Sequence, residues 1–243
     1  MRHADKSGRE GLMPDNIKDR LERVKERIRE AALSCGRDPE TVKLVAVSKT
    51  VPLDLVRAGV KAGITVLGEN YVQEASEKIQ ALAGENISWH LVGHLQSNKA
   101  KYAVKLFDLI HSVDSLKLAR ELDRRAHGVG KVQPILIQVN ISGEETKSGI
   151  DTDQALTLIR DISSLENLVV RGLMTMPPYF NAPDKVRPFF RALTSLQAVV
   201  REEAIPNVDI SELSMGMSGD FETAIEEGAT LVRIGTAIFG ERT

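Results

Sequence analysis

A single cysteine, Cys35, supplies all the thiol chemistry of this 243-residue chain. It excludes an internal disulfide and fits a reducing compartment. Charge of one sign is missing too. The 32 Lys and Arg set against 34 Asp and Glu leave a net charge of −2. With both signs interspersed, nothing in the chain marks a surface for nucleic acid or for an anionic membrane. The densest stretch, KDRLERVKERIRE (18–30), carries both signs and reads as the solvated face of a helix. No run is long and apolar enough to span a membrane, and the opening MRHADKSGREGLMP lacks the apolar core of a secretory signal. Residues 1–14 are therefore expected to form a flexible extension, and the default compartment is the cytoplasm. His94, His111 and His127 are dispersed and give no metal-ligand spacing, so no metal is expected. No linker, low-complexity tract or internal repeat interrupts the rest. Residues 15–243 are expected to make one domain, with no room for a second.

What the chain does have is alternation. Short runs rich in β-branched residues recur, each followed by a longer segment of helical periodicity. After a first helix over 16–34, the strand candidates are 42–48, 64–68, 88–93, 107–113, 133–140, 168–174, 208–214 and 229–235. PLDLVRAGVKAG, DTDQALTLIRDISS and SGDFETAIEEG carry helix signals between them, with Ser218 a candidate N-cap for the last. Strands such as LVAVS and PILIQV are apolar on both faces, as a parallel sheet covered by helices requires. Eight such units predict an α/β fold, a single (β/α)₈ TIM barrel with an additional N-terminal helix. A doubly wound open sheet is the alternative.

Barrels of this kind do their chemistry at the C-terminal ends of the strands. Lys49 emerges there from the first strand. A lysine in a barrel mouth is costly unless paired, neutral or covalently used, and a neutral amine attacks aldehydes. Read alone, it fits a strand-end lysine snorkelling to solvent better. In LVRIGTAIFG (231–240), Gly235 allows a ligand close to the backbone, and Thr236 opens a short helix whose free N–H groups suit a phosphate. Ser214 could add a hydroxyl. Arg233, two residues before Gly235, would place a permanent cation beside the ligand if it faces the barrel. A glycine turn and a structural ion pair are the respective alternatives. Asp220 and Glu222, at the preceding helix start, favour the GTAIFG end for an anion.

The stretches VKLVAVSKT, GENYVQE, WHLVGHLQSNK, IQVNISGEETKSGI, RGLM and LSMGMSGDFETAIEEGATLVRIGTAIFG, in that order from Val42 to Gly240, resemble the pyridoxal phosphate homeostasis protein family. That family is similar to the barrel domain of alanine racemase. The resemblance implies pyridoxal 5′-phosphate as cofactor, held as a Schiff base on Lys49. It implies a phosphate site at Ser214, Gly235 and Thr236, and Arg233 near the pyridine nitrogen. Asn70, His90 and Met174 would line the ring. A strand-terminating asparagine, a core histidine and a core methionine are the competing readings of those three.

An arginine at the ring nitrogen would keep it unprotonated and weaken the ring as an electron sink. Racemisation also needs acid–base groups on both faces of the substrate. The resemblance to alanine racemase implies that the second, a tyrosine, lies outside the barrel. Tyr71, Tyr102 and Tyr179 do not match that context. The expectation is a non-enzymatic carrier that buffers the cofactor and delivers it to apo forms of dependent enzymes, and a monomer. Amino acid racemisation is the rival reading, and a Schiff-base aldolase is a third without support from the motifs.

Overall fold

The computed structural model describes residues 16–144, 147–178 and 182–241; the expected N-terminal extension and Tyr179 lie outside them. The chain opens with α1 (Ile17–Ser34), capped by Asn16, whose side chain accepts from the Asp19 amide at 3.0 Å. Strand and helix then alternate. β1 (Lys43–Val47) leads to α2 (Leu53–Lys61), β2 (Val66–Glu69) to α3 (Val72–Ala81), and β3 (Ser88–Leu91) to α4 (Ala100–Leu106). β4 (Leu109–Val113) precedes α5 (Leu116–His127), and β5 (Gln133–Asn140) precedes a two-residue strand β6 (Ile150–Asp151) and α6 (Thr152–Ile162). β7 (Leu168–Met174) and α7 (Arg187–Glu202) follow. β8 (Val208–Ser214), α8 (Phe221–Glu226), β9 (Leu231–Ile234) and the one-turn α9 (Thr236–Phe239) complete the order.

All pairings are parallel. β1 pairs with both β2 and β9, and β4 pairs with β5, so eight strands close on themselves and the open sheet is excluded. β6 lies outside that circle, against the end of β5, and was not foreseen. Predicted and observed strands agree within two residues at either end. Ser218 is not the cap of α8: Asp220 takes that position, and its carboxylate accepts from the Met217 amide at 2.6 Å.

Period-two alternation sorts the strand residues into two cores. Ala46, Leu67, Leu91, Ile110, Ile137, Leu213 and Ile234 point outward and pack beneath the helices. Val45, Val92, Leu109, Leu136, Met174 and Leu231 fill the barrel interior. The added helix α1 packs against α8 and α9. Arg20 donates from Nε to the Ile238 carbonyl at 2.6 Å, and Arg37 donates to the Ile225 carbonyl at 2.6 Å. Arg20 of α1 and Arg37, just beyond its end, thus hold α9 and α8 respectively.

β7 and β8 approach so closely at Gly172 that an added Cβ would lie 1.8 Å from the Glu212 carbonyl oxygen. No rotamer relieves a backbone clash. Gly172→Ala is expected to destabilise the fold by roughly 2–3 kcal/mol. The expected signature is a lower urea midpoint at unchanged slope. A wild-type midpoint would mean that this wall of the barrel spreads freely.

Candidate functional site

Strand parity decides what the barrel mouth displays. Val45 and Val47 share the inward face of β1, and the same alternation carries Lys49 toward the axis. Lys49 and Val47 line a cavity of about 460 Å³ at the carboxyl ends of the strands. Asn70 and Val92 form one flank, from the ends of β2 and β3. Gly93 makes that flank possible: a Cβ there would lie 2.5 Å from the Asn70 carbonyl oxygen. Arg233, Gly235 and Thr236 form the opposite flank, and Met176, Met217, Ser218 and Asp220 complete the wall. Thr236 Oγ1 lies 3.2 Å from Ser218 Oγ, so two hydroxyls meet at one pole of the cavity.

Arg233 is only 4% exposed. It donates to Ser214 Oγ at 2.6 Å and to the Thr175 carbonyl at 2.8 Å. Beneath it a polar chain crosses the barrel: Ser214 Oγ is 2.9 Å from His111 Nδ1, and His111 Nε2 is 3.0 Å from His90 Nδ1. Burial lowers the Arg233 pKa to about 10 while Asp220 pulls it back up, so the guanidinium keeps its charge at neutral pH. Burial holds His90 at about 4. It also drives His111 well below its ordinary value, with the neighbouring His90 and Arg233 adding to the shift. Both imidazoles are neutral at pH 7. Desolvation raises the Asp220 carboxyl, opposed by its bond from the Met217 amide and by the Arg233 charge.

On the outward side of the same strand ends lies a second buried cation. Lys78, on α3, is 6% exposed. Its ammonium donates to the Ser48 carbonyl at 2.5 Å and to Glu69 Oε1 and Glu74 Oε1, each at 2.8 Å. Ser48 Oγ donates to Glu69 Oε1 at 2.5 Å, and the Thr50 amide donates to Glu74 Oε1 at 2.6 Å. Burial pushes the Glu69 carboxyl up, while the bonds from Lys78 and Ser48 pull it down.

Of the residues singled out in the sequence, Lys49, Asn70, Arg233, Gly235 and Thr236 line the cavity. Ser214 touches it through Arg233. His90 lies two hydrogen bonds deeper, and Met174 is fully buried among the interior apolar residues. The apolar surface facing the cavity comes from Val92, Met176 and Met217 instead. The two helix starts face one cavity, which Asp220 and Thr236 both line. Ser218 and the Lys78 cluster were overlooked. The four-residue spacing from Glu74 to Lys78 was the available signal for the second. Tyr71 is exposed beside Asn70, and Tyr102 is exposed on α4. Among the described residues no group of three His, Cys, Asp or Glu is placed to hold a metal ion, and no helix is long and apolar enough to cross a membrane.

A family model described as alanine racemase, N-terminal domain, matches residues 15–243. A pyridoxal phosphate homeostasis protein of Aquifex aeolicus is 48% identical over 227 residues, covering 93% of this chain and 99% of that one. Its namesake in Escherichia coli is 41% identical over 234 residues, covering 94% and 97%. Among solved structures, PipY of Synechococcus elongatus with pyridoxal phosphate bound superposes with a TM-score of 0.79 at 36% identity, over 93% of this chain and 100% of that one. An alanine racemase of Clostridium difficile reaches 0.70 at 17% identity, covering 94% of this chain and 57% of that one, a likeness of fold alone.

The buried histidines make stability depend on pH. Below about 6.5 the unfolded chain protonates both imidazoles, while the folded chain protonates His90 only near 4 and holds His111 well below its ordinary value. Stability is therefore expected to fall as pH drops from 6.5 toward 4, each histidine contributing up to about 1.4 kcal/mol per pH unit. His90→Asn should flatten the slope of unfolding free energy against pH by about that amount. A variant with the wild-type slope would show that His90 titrates normally.

Proposed function

This chain belongs to the pyridoxal phosphate homeostasis proteins, and from that premise we propose that its cavity binds pyridoxal 5′-phosphate covalently through Lys49 and holds it for release. The observation that carries this reading is the meeting, in one cavity, of a primary amine, a buried guanidinium and a hydroxyl pair along an apolar wall. The volume, about 460 Å³, lies in the range of small-cofactor clefts, roughly 300–1,000 Å³. The donor set fits the group. Ser218 Oγ, Thr236 Oγ1 and the backbone at Gly235–Thr236 would hold the phosphate, with Val92, Met176 and Met217 against the ring and Asn70 at its edge.

Bound there, pyridoxal phosphate supplies an aldehyde that condenses with primary amines. Lys49 Nζ would bond the aldehyde carbon with loss of one water. Arg233, fixed by Ser214 and Thr175, would face the ring nitrogen as a donor that does not surrender its proton. That arrangement leaves the ring a weak electron sink and favours safekeeping over turnover. The relatives' shared name supports the same role, and apo enzymes in need of the cofactor would be the recipients. One observation favours amino acid turnover instead: Asp220, its carboxyl raised by burial, is a second titratable group in the cavity beside Lys49. Conversion of L- to D-amino acids that vanishes in Lys49→Ala would establish that reading.

Purified protein incubated with pyridoxal phosphate is expected to turn yellow. After borohydride its intact mass should rise by one reduced cofactor, with the modification mapping to the Lys49 peptide. Lys49→Ala should lose both signals, and protein that neither colours nor gains mass overturns the proposal. Thr236→Val should keep the colour but weaken cofactor affinity about tenfold, by roughly one charge-assisted hydrogen bond. Equal affinity would move the phosphate elsewhere.

A further inference from the structure

Lys49 is flanked by two residues whose backbones are tied to the same buried ammonium. Before it, the Ser48 carbonyl accepts from Lys78 Nζ at 2.5 Å, and the Ser48 hydroxyl is bonded to Glu69. After it, the Thr50 amide is bonded to Glu74, whose same oxygen accepts from Lys78. Thr50 has φ of 60°, a left-handed conformation that is costly for a β-branched residue and persists only where the surroundings impose it. Lys78 and Glu69 are both buried, and Glu69 Oε2 has no hydrogen-bond partner among the described residues. An ion pair of this kind is a poor source of stability, since hydrophobic replacements are often as good. It does fix geometry, and the geometry it fixes is the backbone on both sides of the amine.

We propose that Lys78, acting through Glu69 and Glu74, is a positioning residue that aims the Lys49 amine at the aldehyde carbon. This deepens the proposed function and rests on it. The step aided is addition of the Lys49 Nζ lone pair to the aldehyde carbon, followed by loss of the carbonyl oxygen as water. A loosened Ser48–Thr50 backbone would leave the phosphate and ring contacts in place but misaim the amine, and misplacement of about an ångström slows such steps by up to about a hundredfold.

The test compares two ligands on full-length protein. Pyridoxal phosphate reports linkage through the rate of appearance of its visible absorbance. Pyridoxine 5′-phosphate, the corresponding alcohol, has the same ring and phosphate but cannot form the bond, and its affinity is read by calorimetry. Lys78→Met leaves Glu69 buried without its partner, so Lys78→Met/Glu69→Gln is made beside it to remove the stranded charge. Glu74→Ala, at a partly exposed position, frees the Thr50 amide and removes one of the three Lys78 acceptors. Linkage is expected to slow about tenfold in the Lys78 variants and about threefold in Glu74→Ala, with affinity for the alcohol within about twofold of wild type. Lys78→Arg should restore part of the rate. Wild-type linkage rates in Glu74→Ala and in either folded Lys78 variant overturn the proposal. So does a matching loss of affinity for the alcohol, which would make the cluster a support for the whole mouth. Failure of the wild-type chain itself to develop absorbance would overturn the function on which the proposal rests, a separate outcome.

Discussion

A guanidinium buried inside a barrel must be given partners, and much of the interior polarity of this protein follows from that requirement. Arg233 sits at the carboxyl end of β9 with almost no contact with water. It is held in place by a serine hydroxyl from β8 and a main-chain carbonyl following β7. Ser214 then has to be oriented, and His111 does so from β4, steadied in turn by His90 from β3. Four strands thus contribute to one chain of hydrogen bonds. Neutral imidazoles suit this task, because a second buried cation beside the guanidinium would be repelled by it. The chain also has a direction. The direction at Ser214 follows the His111 tautomer: Ser214 donates to a bare Nδ1 or accepts from a protonated one.

Parity explains why this interior chain and the Lys78 cluster can coexist without interfering. Residues 45, 47 and 49 face the axis while 46 and 48 face the helices. Arg233 therefore meets the cavity from inside, and Lys78 meets Ser48 from the α3 side. Lys49 lies at the boundary of the two. Its side chain belongs to the cavity and its backbone to the outer cluster, so the direction of the amine is set by groups that never enter the cavity. The closed sheet is what makes such a division possible, since only a barrel gives every strand end one wet face and one helix-covered face.

The barrel itself was legible in the sequence because its signals are local. Apolar runs such as PILIQV, helix punctuation by Pro52 and Gly63, and the recurrence of eight units each speak within a short window. Lys49, Arg233, Gly235 and Thr236 were legible for the same reason: each falls at a strand end, and strand ends converge in this fold. His90 and Met174 could not be placed by that rule. His90 lies one residue before the end of β3 and Met174 is the last residue of β7, yet both side chains pack into the barrel interior below the cavity. Ser218 was misassigned because a serine before a helix reads as a cap. In the folded chain Asp220 occupies that position, its carboxylate bonded to the preceding Met217 amide, and Ser218 meets Thr236 across 18 residues of sequence. β6 has two residues and no pattern to read.

The Lys78 cluster shows a harder limit. Its members are spread over Ser48, Glu69, Glu74 and Lys78, and only the last two share a helix face. Ser48 and Glu69 meet because β1 and β2 are paired in register, Val47 opposite Gly68, so the residues just beyond are neighbours too. A sequence reading that knows the strands but not their stagger has no access to this contact. Energetics points the same way. One buried lysine faces the buried Glu69 and the partly exposed Glu74, and Glu69 Oε2 is left without a partner among the described residues, an arrangement that apolar residues of equal volume could replace at little cost to folding. What they could not replace is directionality. A methionine or leucine at position 78 would fill the space and leave Ser48 and Thr50 free to adjust, whereas an ammonium with three acceptors admits one arrangement. The conformation of Thr50, unfavourable for its own side chain, is the strain that this single arrangement sustains next to the reactive amine.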